Sequence, residues 1–278
     1  MIKLLLKFIL IIIVLTVAAY VAFAYSQGGF HKKEPVVLSV KNYSGSFLFA
    51  HRGVVGKFPE NSMEAIELAR KTGFKAVEID IRKTSDGKFI LFHDADADRL
   101  LGIDTTIASL SFNEIMQYKL LMNGDTTKSK VVALEDVINT FRDDFIYYFD
   151  MKLGNFNDVD ELIHLIWSHD ISKQVILASP SFLVPLYIEY NYPAIQTAME
   201  GFGSGNEWSW SLIPMKLKPD FLSGTAKKTD EKHILWLKKH DLLDSRIVYG
   251  VDSSNYRRIT DLGINKMIID YWPGLILN

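Results

Sequence analysis

The chain has 278 residues, of which 48% are hydrophobic and 23% are charged, and its formal net charge is −2 at neutral pH. This length and composition suit one large globular core rather than several small domains. The slightly acidic balance gives no electrostatic basis for binding nucleic acid, because a phosphate backbone attracts a cationic surface. Cysteine is absent from the sequence, which excludes disulfides and a lipid anchor attached to an N-terminal cysteine.

The sequence begins with a long apolar run. Residues 8–25 carry no charge and follow two lysines. At about 1.5 Å per residue, a helix over this run approaches the hydrocarbon thickness of a bilayer. The lysines place the N-terminus in the cytoplasm and send the rest of the chain outward. A small-residue pattern from Ala22 to Ala24 also resembles a signal-peptidase site, although the run exceeds an ordinary signal core. We therefore predict an anchor or signal segment over residues 1–25.

A polar, glycine-containing segment over residues 26–45 is predicted to be a linker. The rest of the chain, residues 46–278, is predicted to form a single domain on the extracytoplasmic side. If the N-terminal segment is cleaved, this domain is secreted or periplasmic.

Nine apolar runs typical of strands follow the linker, and helical patterns separate most of them. This alternation favours a parallel sheet, and so many units favour an α/β fold of the TIM-type (β/α)8 barrel class. The tight-turn signal Ser85-Asp86-Gly87 leaves no room for a helix, so we expect the surplus strand to form a hairpin over the barrel mouth. The runs lie at 47–50, 75–82, 89–92, 145–150, 174–178, 194–199, 220–224, 246–251 and 266–270.

Charged and polar side chains gather where the first of these strands end. Glu78 and Asp80 alternate with apolar residues, so both carboxylates face one side and suit a hard divalent cation. An isolated pair of this kind is more often the solvated face of a half-buried strand. However, His51 and His93 each follow an apolar run, and together with Arg52 they fit a general acid and a general base.

These residues are part of a longer pattern that closely resembles the glycerophosphodiester phosphodiesterase family over roughly residues 46–274. The resemblance implies a TIM-type barrel, a Ca²⁺ or Mg²⁺ ion, and hydrolysis that releases an alcohol from glycerol 3-phosphate. It also implies that the glycerol 2-hydroxyl attacks first, giving a cyclic phosphate. The matching motifs are His51-Arg52-Gly53, Pro59-Glu60-Asn61, Ala65, Ala69, Gly73, Glu78-x-Asp80, Thr84-x-Asp86-Gly87, His93-Asp94, Leu134-Glu135-Asp136-Val137, Asp150-x-Lys152 and Ile268-Ile269-Asp270-Tyr271-Trp272-Pro273.

The resemblance implies one divalent cation, with Asp150 as the third ligand beside Glu78 and Asp80. Asp150 ends an apolar strand, so its side chain and that of Lys152 should both face the barrel mouth. The family usually has Glu at this position, and the related sphingomyelinase D branch is similar to this chain in using Asp. Because flexible calcium geometry tolerates a shorter carboxylate better than the octahedron of magnesium does, Ca²⁺ is slightly favoured over Mg²⁺.

Other positions are expected to contact the substrate. Arg52 and Lys152 should bind its phosphate, with Arg52 able to donate two parallel hydrogen bonds. The small insertion after the His93 strand, at about residues 94–131, should wall the pocket. The further candidates for substrate contacts are Glu60, Trp208, Trp210, Tyr249, Asp252 and Trp272.

For some of these candidates the sequence leaves alternatives open. Glu60 suits a neighbour of the metal site and a loop carboxylate equally. Trp208 and Trp210 suit cation–π contact with choline or contact with lipid, but burial between the barrel and its helices is favoured. Tyr249-Gly250-Val251-Asp252 replaces a Trp-Thr-Val-Asn sequence common in the family, which leaves the substrate contacts there undefined.

A helix should follow the Pro59-Glu60-Asn61 motif and end at Gly73. Its beginning, Asn61-Ser62-Met63-Glu64, resembles a capping box. Asn61 is therefore expected to be the N-cap rather than a functional residue.

Three functions are weighed against these observations. Metal-dependent hydrolysis of a small-molecule or lipid-derived phosphodiester fits best. A lipid phosphodiesterase of the lysophospholipase D or sphingomyelinase D type is encouraged by the Asp150-x-Lys152 motif and by the predicted membrane segment. A membrane-tethered binding barrel without activity is disfavoured, because its acids, bases and cations would not all be retained.

Overall fold

The computed structural model describes residues 2–31, 33 and 47–277. Its centre is a closed barrel of eight parallel strands, because the first strand pairs with both the second and the last. This confirms the predicted TIM-type barrel. The strands of the described part of the chain are β1 (Phe47–His51), β2 (Ala76–Lys83), β3 (Phe89–Leu91), β4 (Leu121–Met122), β5 (Asp125–Thr126), β6 (Ile146–Met151), β7 (Val175–Ser179), β8 (Gln196–Met199), β9 (Phe221–Thr225), β10 (Arg246–Val251) and β11 (Lys266–Ile269).

The surplus strand is β3, which pairs antiparallel with β2. Ile81 lies opposite Leu91 in this hairpin, and the Phe92 amide donates to the Asp80 carbonyl at 3.0 Å. The predicted hairpin over the barrel mouth is therefore present. It brings His93, the residue after Phe92, to the end of β2.

Helices cover the outside of the barrel. Between β8 and β9 the connection consists of two 3-10 helices, Glu207–Leu212 and Met215–Leu217, instead of an α-helix. The α-helices of the described residues are α1 (Ile2–Ser26), α2 (Met63–Thr72), α3 (Asp98–Leu101), α4 (Phe112–Ile115), α5 (Leu134–Phe141), α6 (Phe156–Ser168), α7 (Leu183–Asn191), α8 (Glu231–Lys239) and α9 (Tyr256–Asp261).

Strand alternation divides the core into two parts. On β2, Val77, Ile79 and Ile81 are buried in the layer that packs against the helices. Alternate positions point into the barrel, where a second cluster includes Phe49 and Tyr148. Because the period of a strand is two, the side chains between the apolar residues of β2 are directed toward the barrel axis.

Helix α2 begins one residue later than the sequence predicts. Its N-cap is Ser62, whose hydroxyl accepts from the Ala65 amide at 3.2 Å, and it ends at Gly73 in the left-handed conformation. Asn61 precedes the cap and has a φ of 56°. The prediction that Asn61 is the N-cap is wrong, which leaves its amide free for another role.

The insertion between β3 and α5 forms a small unit at the barrel mouth. It contains α3, α4 and the β4–β5 hairpin, and it has its own apolar cluster that includes Phe92, Ile107 and Ile115. Because the cluster continues from β3, the insertion is held beside His93.

Among the described residues, α1 is long and apolar enough over Leu4–Ser26 to cross a membrane, a test that signal sequences also pass. The turn after α1 contacts the 3-10 connection between β8 and β9. The Met215 amide donates to the Gly29 carbonyl at 2.8 Å, and the Lys216 amide donates to the Gln27 carbonyl at 3.1 Å. The end of α1 therefore lies against the side of the barrel that has no α-helix.

Most of the predicted linker, residues 26–45, lies outside the described residues, but Lys33 is described. Its ammonium group lies 2.6 Å from a Glu189 carboxylate oxygen and 2.7 Å from one of Asp220, and it donates to the Lys218 carbonyl. Both acids are buried. The pKa of Glu189 is raised to about 7, chiefly by burial and then by the charge of Asp220, while Lys33 opposes the shift. Lys33 thus compensates two buried carboxylates of the barrel.

We predict that Lys33→Met lowers the free energy of unfolding by about 3 kcal/mol at pH 8, the low end of the cost of breaking a buried ion pair. The pKa of Glu189 in the folded protein is above its ordinary 4.5, so protonation of Glu189 stabilises the folded state. This stabilisation is complete below about pH 4.5 and is lost as pH rises to about 7. The loss in the variant should therefore be smaller at pH 5. Urea unfolding at both pH values, with the exposed Lys238→Met as control, tests this. Equal losses at pH 5 and pH 8 would contradict it.

Candidate active site

A cavity of about 220 Å³ lies among side chains at or near the carboxyl ends of the barrel strands, where catalytic residues of such barrels are found. It contains both predicted histidines, both predicted phosphate-binding cations and two of the three predicted metal ligands. Asp80, the third, is fully buried beside them. The residues that line the cavity are His51, Arg52, Glu78, His93, Tyr148, Asp150, Lys152, Glu200, Tyr249 and Ile268.

The parallel register between β2 and β6 brings three carboxylates together. Asp80 lies directly opposite Asp150, and Glu78 is two residues earlier on the same face of β2. One oxygen from each of the three lies within 4.8 Å of the others. Oδ1 of Asp80 and Oδ1 of Asp150 are buried and accept no hydrogen bond. Hard oxygen donors with unused lone pairs fit a divalent cation such as Ca²⁺ or Mg²⁺.

The three carboxylates repel one another in a buried site. Burial raises the pKa of Glu78 well above its ordinary value, and the charges of Asp80 and Asp150 raise it further. Burial also raises the pKa of Asp150, while Lys152 opposes that shift. Buried charges of one sign are stable only when cations compensate them. The cluster therefore favours positive charge at its centre.

Arg52 and Lys152 supply part of this compensation. Nε of Arg52 lies 3.1 Å from Oδ2 of Asp80, and its backbone amide donates to the Glu78 carboxylate at 3.0 Å. Arg52 has a φ of 55°, a left-handed conformation that non-glycine residues adopt only at a cost. Nζ of Lys152 lies 2.5 Å from Oδ2 of Asp150. Both cations line the cavity beside the acids, where they can bind the oxygens of a phosphate.

Each histidine is oriented by a carboxylate. Nδ1 of His51 lies 2.7 Å from Asp270, and Nδ1 of His93 lies 2.7 Å from Asp94. Asp94 is held in turn by Arg99. The hydrogen bond with His51 is the main reason that the pKa of Asp270 is below its ordinary value. A carboxylate at Nδ1 fixes the tautomer with the proton on that nitrogen, so Nε2 of each ring is available for proton transfer.

Asn61 and Glu60 hold residues of the carboxylate cluster and its arginine in place through hydrogen bonds. The Asn61 side chain donates to Oδ2 of Asp80 at 2.8 Å and accepts from the Asp80 amide at 3.2 Å. Glu60 accepts hydrogen bonds from Arg52 and from Arg99, each at 2.8 Å. Glu60 therefore connects Arg52 to Arg99, the arginine that holds Asp94.

Five of the six further candidates for substrate contacts lie outside the cavity. Trp210 is buried, whereas Trp208 is 67% exposed. Asp252 accepts from the Ser254 amide at 2.8 Å and shapes the loop after β10. Trp272 packs against the main core. Of the six candidates, Tyr249 alone lines the cavity.

The sequence interpretation did not include several residues that belong to this site. Asp94 and Asp270 were part of the matched motifs, but their contacts with the histidines could not be seen in the sequence. Glu200 follows the apolar run 194–199 directly, which is the same pattern that identified His51 and His93. The signal for Glu200 was therefore present in the sequence.

Comparison with known proteins agrees with this geometry. Residues 51–180 match the sequence model of the glycerophosphoryl diester phosphodiesterase family. A glycerophosphodiester phosphodiesterase of Bacillus subtilis is 25% identical over 245 residues, which cover 80% of this chain and 82% of that protein. These matches support the resemblance of the chain to this family of phosphoric diester hydrolases.

Other relatives match over shorter stretches. The Bacillus subtilis protein YqiK is 32% identical over 138 residues, 48% of this chain and 57% of that protein. Human glycerophosphodiester phosphodiesterase 1 is 34% identical over 108 residues, 37% of this chain and 33% of that protein. The chain therefore spans little more than half of the first of these relatives and a third of the second.

Solved structures share the fold. A phosphodiesterase of Oleispira antarctica, solved in complex with the product sn-glycerol-3-phosphate, superposes with a TM-score of 0.71 at 18% identity, over 82% of this chain and 94% of that one. A glycerophosphodiester phosphodiesterase of Thermotoga maritima gives a TM-score of 0.63 at 22% identity, over 82% and 96%.

We predict that Glu78→Gln and Asp80→Asn each abolish the stabilisation of the protein by Ca²⁺. Each replaces a predicted anionic ligand by a neutral amide of similar size, so the metal-free fold should persist and should be no less stable, because mutual repulsion is reduced. Thermal unfolding with and without Ca²⁺ tests this. Asp252→Asn, outside the cavity, is the matched control. An unchanged response to Ca²⁺ in either site variant would count against the assigned ligands.

Proposed function

We propose that the chain hydrolyses glycerophosphodiesters to glycerol 3-phosphate and an alcohol in a metal-dependent reaction. The observation that carries this proposal is the single cavity in which a buried carboxylate cluster, two cationic side chains and two carboxylate-oriented histidines meet. Such a set matches phosphodiester hydrolysis, which requires charge stabilisation at phosphorus and proton transfer at two oxygens.

Glu78, Asp80 and Asp150 are the residues that would hold the cation, which when bound supplies a Lewis acid that stabilises negative charge on phosphoryl oxygens. Arg52 and Lys152 bind the phosphate and neutralise charge that develops on it. Arg52 offers a planar fork of donors, whereas Lys152 offers a point charge. Asp150 is shorter than Glu by one methylene, which supports Ca²⁺ slightly over Mg²⁺ because calcium geometry is more adaptable.

His51 and His93 divide the proton transfers. One Nε2 accepts a proton from the attacking 2-hydroxyl of the glycerol, and the other donates a proton to the oxygen of the departing alcohol, which leaves a cyclic phosphate. A water molecule then attacks phosphorus, the bond to the 2-oxygen breaks, and the same two rings transfer the protons in the opposite sense to give glycerol 3-phosphate. Asp270 and Asp94 stabilise the imidazolium that forms on each ring. Since both rings line one cavity, both proton transfers can take place at one bound phosphate.

The proposed location follows from α1. If α1 spans the membrane, the charge pattern of its flanks places the barrel on the extracytoplasmic side, and cleavage of the segment would release the barrel there. The substrate would then be a small-molecule or lipid-derived phosphodiester outside the cytoplasm. A cavity of about 220 Å³ supports a small glycerophosphodiester rather than a lysophospholipid.

We predict that His51→Ala and His93→Ala each lower kcat by about 10²–10⁴-fold, the usual contribution of a positioned acid or base. Because the two residues act on the same phosphate, the double variant should be little slower than the slower single variant. Steady-state kinetics of the three variants tests this. Full additivity would assign a purely structural role to one histidine.

The proposed activity is tested with the full chain in detergent. Glycerophosphocholine should be hydrolysed in the presence of Ca²⁺, and a chelator should abolish turnover. A lysophosphatidylcholine should be hydrolysed more slowly, because a cavity of about 220 Å³ favours a small glycerophosphodiester. Faster hydrolysis of the lysophospholipid would favour the lipid phosphodiesterase alternative. Equal turnover with and without the chelator would overturn metal dependence.

A further inference from the structure

The cavity contains a carboxylate that neither the metal site nor the proton transfers use. Glu200 follows β8 directly and lines the cavity. In the eight-stranded barrel, β8 lies four strands from β1 in either direction. Glu200 therefore faces His51 across the barrel mouth, with the space for a ligand between them.

The surroundings of Glu200 hold its side chain in place and leave part of it open. The buried Tyr148 hydroxyl donates to Oε1 of Glu200 at 3.0 Å. Among the described residues, no hydrogen bond is directed to Oε2. The side chain is half-buried, and its open side is the cavity. Glu200 thus presents a fixed acceptor to whatever occupies the space opposite His51.

The electrostatic environment is compatible with a hydroxyl ligand. The pKa of Glu200 is raised to about 8, chiefly by burial and then by the charge of Asp150, while Lys152 opposes the shift. Whether or not this carboxyl carries a proton, it keeps an oxygen that can accept a hydrogen bond. A ligand that covers this acceptor without supplying a donor loses the hydrogen bond that water made to it, so the site favours a ligand with a hydroxyl.

Two observations favour the glycerol of the substrate over the alcohol as this ligand. The cavity of about 220 Å³ is below the 300–1,000 Å³ typical of drug-sized ligands, and suits a phosphate with a three-carbon substituent. A wider cavity of about 880 Å³ shares His93 and Lys152 with it and leads outward past Asp94 and Arg99. The alcohol can leave through this wider cavity.

A quaternary ammonium group, such as that of choline, fits poorly in the part of the cavity next to Glu200. Recognition of choline uses the open faces of several aromatic rings. The Tyr148 ring is fully buried, which leaves Tyr249 as the partly exposed ring of the lining.

We infer that Glu200 is a specificity residue that accepts a hydrogen bond from the terminal hydroxyl of the substrate's glycerol, with Tyr148 as the residue that positions it. This inference rests on the proposed function. It means that Glu200 selects phosphodiesters whose glycerol carries a free terminal hydroxyl.

The test compares two substrates. Glycerophosphocholine has the terminal hydroxyl, and 2-hydroxypropyl phosphocholine lacks it but keeps the 2-hydroxyl. The wild type should prefer glycerophosphocholine by about 10- to 100-fold in kcat/KM, because the bound analogue covers the Glu200 oxygen without donating a hydrogen bond to it. In Glu200→Met, which has a similar volume, the ratio should fall close to one through loss of activity on glycerophosphocholine. Tyr148→Phe should lower the ratio partly, and the exposed Glu231→Met should leave it unchanged.

The contrary outcomes are distinct. If Glu200→Met slows both substrates equally, Glu200 has a structural role and the inference is wrong. If its effect depends instead on the charge of the alcohol, shown by comparing glycerophosphocholine with glycerophosphoglycerol, Glu200 binds the alcohol. If the wild type hydrolyses neither substrate with Ca²⁺ present, the proposed function fails and the inference fails with it.

Discussion

The mutual repulsion of Glu78, Asp80 and Asp150 is the constraint on which the rest of the site depends. Three carboxylates within 4.8 Å of one another, largely removed from water, are unfavourable unless positive charge lies among them. Arg52 meets this requirement only in part and at the cost of a left-handed backbone. Lys152 contributes a second cation. Oxygens without hydrogen bonds remain in the cluster, and they are the groups that a divalent cation would use.

The barrel explains how residues distant in sequence meet in this arrangement. Parallel strands present their carboxyl ends on one side, so side chains from β1, β2, β6, β8 and β10 converge on one cavity. The β2–β3 hairpin adds His93 from a strand outside the barrel. The two histidines therefore approach the carboxylate cluster from different elements. This separation suits their proposed roles on opposite oxygens of one phosphate.

The barrel strands and the position of the acidic pair were predictable because they depend on local periodicity. The strands follow from apolar alternation, and the inward direction of Glu78 and Asp80 follows from a period of two. Other features depend on tertiary contacts. His51 and Asp270 are 219 positions apart, and no local pattern pairs them. Asn61 and Ser62 are both of a type that caps helices well, but the Asn61 side chain donates to Asp80 instead, and Ser62 caps the helix.

The tryptophans and Lys33 also show where local sequence patterns fail to predict contacts between distant residues. Trp208 and Trp210 are two residues apart on one 3-10 helix, yet only Trp210 packs against the ring of Phe202 and the ammonium group of Lys218. Sequence spacing does not distinguish them, because the contacts come from distant residues. Lys33 lies in a segment with linker composition and nevertheless neutralises buried acids of the barrel.

The most direct test of the central claim is anomalous diffraction from crystals grown with Ca²⁺ and sn-glycerol 3-phosphate. The account predicts one strong calcium peak about 2.4 Å from oxygens of Glu78, Asp80 and Asp150, with the phosphate beside it and between His51 and His93. A calcium peak at another position, with these three carboxylates unoccupied in an active enzyme, would contradict the account.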